Sequence, residues 1–298
     1  MTAAILVLLS ALCLSIHFVI SSHILSRSKG LDTSLYLFAS HTVAFLISLI
    51  PLFFMNDKSG PWISGSQFFF AFLISVCMTL FSKNLQYSSF VKLDLSLVSS
   101  FSALTPVFTV VLSYFVLKEI PKEKALWGIF LTTIAVYFLF LQKPDRKSFR
   151  TILNPLRHIW SDSGARLALL SSIPGAISIT FARKGVLGFN PLFFSSASLF
   201  AFCLGNGVVA KLKTGSIKIK VNSYWPLIAS GLFLALGQIF STLATRMQFA
   251  SYISAMSRVS IFFQTLLAYM FLNQRKDLAY RLALSIFILA GYFLIASA

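Results

Sequence analysis

Apolar stretches follow one another along the whole chain, separated by short polar connections. Each stretch runs to about 20 residues, enough for a helix to cross about 30 Å of hydrocarbon. The pattern predicts ten spans, at 3–25, 33–55, 64–86, 93–117, 122–141, 166–186, 190–210, 224–246, 250–272 and 278–297. Turn signals mark most of the gaps between them: "SKGLDT", "NDKSGPWISGS", "KEIPKEK" and "GFNP". The longest connection divides the chain into two units, 1–145 and 166–298, with a basic segment at 146–165 between them.

The two units resemble each other. Shifted by 155 positions, "SLVSSFSALTPVFTVVLSYFVLKE" falls over "SYISAMSRVSIFFQTLLAYMFLNQ". Ser96, Ser99 and Ser102 then meet Ser251, Ser254 and Ser257, and Tyr114 meets Tyr269. The same register carries "AVYFL" over "AGYFL" in the following span. Five spans per unit is an odd number, so the second unit enters from the opposite side. The expected fold is therefore an all-α integral membrane protein of ten helices in two inverted five-helix repeats. Secondary transporters are commonly built this way, with a site at the midplane.

Composition agrees with the pattern. Of 298 residues, 57% are hydrophobic and 11% charged, and the mean hydropathy is +0.83. The net charge of +17 sits in the connections, as is usual beside anionic headgroups, so no nucleic-acid partner is expected. The expected partners are the lipid bilayer and a small-molecule metabolite. The first stretch has no charged leader region and reads as an uncleaved helix. Cys13, Cys77 and Cys203 lie in apolar stretches, with no zinc-type spacing; no metal or cofactor is expected. Positive charge favours the odd-numbered connections, which places them in the cytoplasm. The expected location is the plasma (inner) membrane.

Ionisable groups inside lipid point to function. No carboxylate falls in mid-span; Asp94 opens the fourth span. His17 and His41 are mid-span and, with Pro106 and Asp94, are candidates for gating or coupling. Arg258 is the sharpest signal. It lies about 12 Å into the ninth span at 1.5 Å per residue, and its forked donors match a carboxylate or phosphate. The alternatives for it are a structural bond to backbone carbonyls, a pair with Asp94, and snorkelling. Ser99, Ser102 and Thr105 follow helical spacing on the fourth span. They join Ser254, Ser257, Gln238 and Gln264 as candidate substrate contacts, with helix packing the alternative for the serines. Lys83, Asn84 and Tyr87 are placed to form a mouth, whereas Arg183, Lys184 and Arg246 read as interface anchors. In the register above, Ala103 stands opposite Arg258 and Pro106 opposite Ile261. One unit would supply the charge and the other the helix break.

The stretch "SLVSSFSALTPVFTVVLSYFVLKEIPKEKALWGIFLTTIAVYFL" resembles the drug/metabolite transporter superfamily, EamA type. Pro106, Glu119 and Gly128 occupy that family's proline, exit-glutamate and glycine positions. The second unit departs from it, with Ile261 and Gln274 at the first two. The resemblance implies a basket in which helices 1–4 and 6–9 surround a cavity, helices 5 and 10 lie outside, and metabolites move by alternating access. The substrate class expected from Arg258 is a small anionic or zwitterionic metabolite: an amino acid, a carboxylate or a nucleotide-type compound. Export of neutral or amphipathic drug-like compounds is the alternative. An integral membrane enzyme is the alternative of another class, but no Asp/Glu/His cluster supports one, and no activity as an enzyme is expected.

Overall fold

The structure is a computed structural model; it describes residues 2–27, 31–54, 65–90, 92, 104–140, 163–215, 224–272 and 278–298. These are helical apart from short turns and caps, with no strand among the described residues. The helices are α1 (Thr2–Arg27), α2 (Thr33–Phe53), α3 (Ser66–Phe90), α4 (Thr105–Leu117) and α5 (Glu123–Phe140). They continue as α6 (Ser163–Gly188), α7 (Pro191–Thr214), α8 (Trp225–Met247), α9 (Ala250–Leu272) and α10 (Leu278–Ala296). Eight are long and apolar enough to cross a membrane: α1, α2, α3 and α6 to α10. α4 is apolar but shorter.

Local chemistry sets the ends. Asp32 caps α2, its carboxylate accepting from Ser34 N at 2.7 Å. Asn190 Oδ1 caps α7 in the same way, accepting from Leu192 N at 3.0 Å, and Pro191 follows as the first helical residue. Gly215, at φ 68°, closes α7 in the left-handed region. Within α6 the helix turns at Ser171 and resumes at Ser172. Pro174 accounts for this, since its ring crowds the carbonyl four residues back, at Leu170.

α9 changes pitch without a proline. It runs as α-helix over Ala250–Met256, tightens to a 3₁₀ turn over Ser257–Val259, and resumes at Ser260. Arg258 sits in the middle of that turn. The unit expected to supply the charge thus also carries a change of pitch of its own. Pro106 lies in the first turn of α4 as described. Residues 93–103, the expected start of that span, lie outside the described residues.

Small polar side chains are buried among apolar ones inside the bundle, and large apolar residues cover its outside. Ser15, Ser21, Ser40, Ser48, Ser230 and Ser254 are fully buried, while Phe53, Phe115, Trp127, Phe271 and Phe293 are exposed. Small polar residues let helices approach closely, and large apolar ones face lipid. The backbones of α5 and α10 approach closely. A Cβ on Gly128 would lie 2.8 Å from Gly291 O, and a Cβ on Gly291 would lie 2.8 Å from Gly128 O. Around that contact pack Ile129, Val136, Ile288 and Ile295.

Helix pairing follows the repeat. The main pairs are α1 with α8, α3 with α6, α2 with α7 and α5 with α10; α2 also meets α8, α1 meets α9, α4 meets α6, and α4 meets α9. Exchanging each helix for the one five places along returns this set except for α2 with α8, whose counterpart, α7 with α3, is a smaller contact. Hydrogen bonds at one end fix direction. Tyr292 Oη, late in α10, donates to Ala4 O at the start of α1 at 2.5 Å. Lys122, just before α5, reaches Ala298 O with its ammonium and donates its backbone N–H to Tyr252 Oη, at the start of α9, at 3.0 Å. Arg183, late in α6, joins the same end through Glu119. α1 therefore begins where α6 finishes, and the two run in opposite directions.

Candidate functional site

A cavity of about 260 Å³ lies at the centre, lined by α1, α3, α4 and α6 to α9. α5 and α10 contribute no residue to it, as the resemblance implied. Neither does α2, which packs behind α7 and α8. Most of the polar lining is serine and threonine. Many of these hydroxyls give their hydrogen to a carbonyl: Ser82 to Ser171 O at 2.7 Å, Thr242 to Gln238 O at 2.8 Å, and Thr245 to Ser241 O at 2.7 Å. They leave lone pairs for a guest. Donors come mainly from two cations and from the amides of Gln86, Gln238 and Gln264.

Of the candidate contacts, Arg258, Ser257, Thr105, Gln238 and Gln264 line this cavity. The tightened turn of α9 places Arg258. Its Nε donates to Ser254 O at 3.2 Å, and Ser257 Oγ donates to the same carbonyl at 2.8 Å. Ser254 itself lies behind the wall, its hydroxyl accepting from Thr109 Oγ1 at 3.2 Å between α9 and α4. Ser99, Ser102 and Asp94 fall outside the described residues.

His17 and His41 are buried beside the cavity and do not line it. His17 holds three helices together. Its Nδ1 meets Ser230 O at 3.0 Å and Ser230 Oγ at 2.8 Å, and its Nε2 meets Tyr87 Oη at 2.5 Å. Tyr36 Oη adds contacts of 2.5 Å to both Ser230 Oγ and Ser21 Oγ. His41 Nδ1 meets Leu37 O of its own helix at 2.7 Å, and its ring stands edge-on to Phe202, which lines the cavity.

Two positions differ from the sequence expectation. Lys83, expected at a mouth with Asn84 and Tyr87, lines the cavity and neither neighbour does. Its ammonium lies 4.8 Å from the Phe18 ring centroid and 3.4 Å from Gln86 Oε1. Tyr87 turns instead to His17, and Asn84 donates to Asn206 Oδ1 at 3.1 Å. Arg183, expected as an interface anchor, is a partly buried ion-pair partner. Its Nε meets Glu119 Oε1 at 3.2 Å, and its Nη1 donates to Thr245 O at 2.7 Å and Arg246 O at 2.5 Å. Glu119 Oε2 accepts from Ala250 N at 2.9 Å. One ion pair thus caps the last turn of α8 and the first turn of α9, a favourable charge at each dipole end. No local spacing marks it, because its members are 64 residues apart.

Residues 1–141 match the EamA-like transporter family. The match covers just under half of the 298 residues and places the chain in the drug/metabolite transporter superfamily. The chain is thus an integral, multi-pass membrane transporter of that superfamily, as its motifs around Pro106, Glu119 and Gly128 implied. No curated protein matches this EamA-like chain in sequence. A solved structure described only as "Crystal structure of protein" aligns with 96% of this chain and 95% of its own, at a TM-score of 0.65 and 12% identity. A likeness at that identity concerns the fold. Among the described residues no group of His, Cys, Asp and Glu could hold a metal ion.

Proposed function

We propose that this EamA-like protein is a secondary transporter or exchanger for a small anionic or zwitterionic metabolite, working by alternating access. The observation that carries the proposal is Arg258, held in the 3₁₀ turn of α9 and lining the central cavity. Its guanidinium is the group to take a carboxylate or phosphate. Thr105, Ser257, Gln238 and Gln264 complete the wall around it. The cavity volume, about 260 Å³, lies below the roughly 300–1,000 Å³ usual for drug-sized ligands. That supports a metabolite over a drug-like compound.

In this proposal the units 1–145 and 166–298 rock against each other in the plasma membrane. His41, one ring away from the cavity lining, is the candidate for coupling. Purified protein in proteoliposomes tests the function: uptake of a labelled metabolite should depend on Arg258 and accelerate with substrate on the far side. Intact uptake and binding in folded Arg258→Gln protein would remove Arg258 from this role. If His41 couples transport to protons, His41→Gln should abolish pH-driven uptake; an unchanged pH dependence excludes it.

A further inference from the structure

The proposed function leaves unused a group of phenylalanines at the end of the bundle that carries the Glu119–Arg183 pair, yet one of them reaches the cavity. Phe194, in the first turn of α7, is buried and lines it. Its ring stands edge-on to Phe72 of α3, at 5.4 Å between centroids, and to Phe189, just past the end of α6, at 5.8 Å. Phe72 and Phe189 meet at 5.9 Å. Glycines bring the rings close to the backbone of α6. A Cβ on Gly185 would lie 2.7 Å from Phe194 Cε2, and one on Gly188 would run into Phe68. Phe68 and Phe72 belong to the first turns of α3, and Phe189 to the turn between α6 and α7, so the cluster lies between the cavity and the end of the bundle. Deeper in, hydrogen bonds tie α3 to α6: Ser82 Oγ donates to Ser171 O at 2.7 Å, and Thr79 meets Ser178. The cluster itself is packed from rings, glycines and Val186.

Exchanging the repeats turns α3, α6 and α7 into α8, α1 and α2. Their junction lies at the opposite end and is polar. His17 Nδ1 meets Ser230, and Tyr36 Oη meets Ser230 Oγ and Ser21 Oγ. Parting that junction would strand buried donors and acceptors at the full cost of their desolvation. Parting a ring cluster strands none, and while closed it keeps water out, as apolar constrictions do in channels. On the other side of α6, the Glu119–Arg183 pair and its backbone bonds tie α4, α6, α8 and α9 together. At this end that leaves the α3–α7 side free to open. We infer that Phe72, Phe189 and Phe194 form the gate of the cavity at this end, with Phe194 the ring that swings aside when α3 and α7 part. The inference rests on the alternating access of the proposed function and goes beyond it in naming the seal.

Sided labelling of the full-length protein in sealed membrane vesicles, right-side-out and inside-out, tests this. The probe is a membrane-impermeant methanethiosulfonate. Ser198→Cys reports access to the cavity, one helical turn inward from Phe194. Ile120→Cys, 70% exposed beside Glu119, marks the face on which the gate lies. Protein with Ser198 intact gives the background from Cys13, Cys77 and Cys203. Adding Phe194→Ala should speed labelling of Ser198→Cys from the Ile120 face at least tenfold without speeding it from the other face; Phe194→Leu should give about threefold. Size-exclusion profiles and melting temperatures establish that the variants fold. If Phe194→Ala does not, Phe194→Leu decides; if neither folds, the cluster is structural core and the inference falls. It also falls if labelling from the Ile120 face is unchanged, or if it rises alike from both faces, as general loosening would give. Should Ser198→Cys be reached from both faces while Phe194→Ala alters neither rate, the proposed alternating access stands and the gate is excluded. Should it be reached from neither face in any variant, both fall.

Discussion

Two ionic regions lie within the same bundle, and the chain treats them in opposite ways. At one end Glu119 and Arg183 meet each other, and each also serves a helix terminus, so their charge is used up in holding α4, α6, α8 and α9 together. At the centre, Arg258 and Lys83 line one cavity, with no carboxylate among its described lining residues. A buried ion pair that also satisfies helix ends is structural, whereas cations lining a cavity within the membrane are candidates for a functional role. The difference is one of place rather than of residue type, since each region contains an arginine within a helix but only Arg258 lines the cavity.

The largest effect expected from breaking this contrast is at the clamp. Glu119→Ala would leave Arg183 without its partner and the first turn of α9 without its acceptor. Removing one member of a buried pair costs about 3–5 kcal/mol, readable as a lowered midpoint in thermal unfolding of the detergent-solubilised protein. Substrate affinity in the protein that stays folded should change little. Arg258→Gln should do the reverse. Loss of a charge-assisted bond, about 1.5–3 kcal/mol, corresponds to a roughly 10- to 100-fold weaker substrate affinity, while the unliganded melting temperature stays near that of the wild type. A variant with equal losses in both measurements would erase the distinction between the two regions.

A third substitution tests a site remote from both. Gly291→Val places two methyl groups where the backbone of α5 already sits at contact distance. Overpacking of this kind costs about 1–3 kcal/mol, and binding in the central cavity should be unaffected because α5 and α10 do not line it. The smallest effect is expected beside the clamp. Lys118 ends α4 in the left-handed region at φ 57°, just before Glu119. Lys118→Gly should relieve strain and raise stability by about 0.5 kcal/mol; a loss of stability would show that the lysine side chain helps to set the clamp.

Helix positions were largely legible in advance. α2, α7, α8, α9 and α10 each end within a few residues of the apolar stretches that predict them, because hydropathy over about 20 residues answers directly to bilayer thickness. Arg258 stood out for the same reason, as a permanent charge in such a stretch. Lys83 did not. It lies near the end of its apolar stretch, where a lysine is ordinary, and only the fold turns it inward. The 3₁₀ turn around Arg258 was equally silent, since no proline or glycine marks it; Pro106 drew attention to the other helix instead.

By itself the sequence determined that this protein lives in a membrane, where its helices lie, that it is built from two related units, and that one arginine is out of place among apolar neighbours. These follow from local composition and from a register that survives a shift of 155 positions. Only the tertiary structure decided which polar residues meet, Glu119 with Arg183 and His17 with Tyr87 and Ser230, and that Lys83 and Arg258 line one cavity. The physical reason is that a helix surrounded by lipid on one side and by helices on the other is apolar on both. Periodicity then cannot tell the faces apart, and partners distant in sequence are fixed by packing alone.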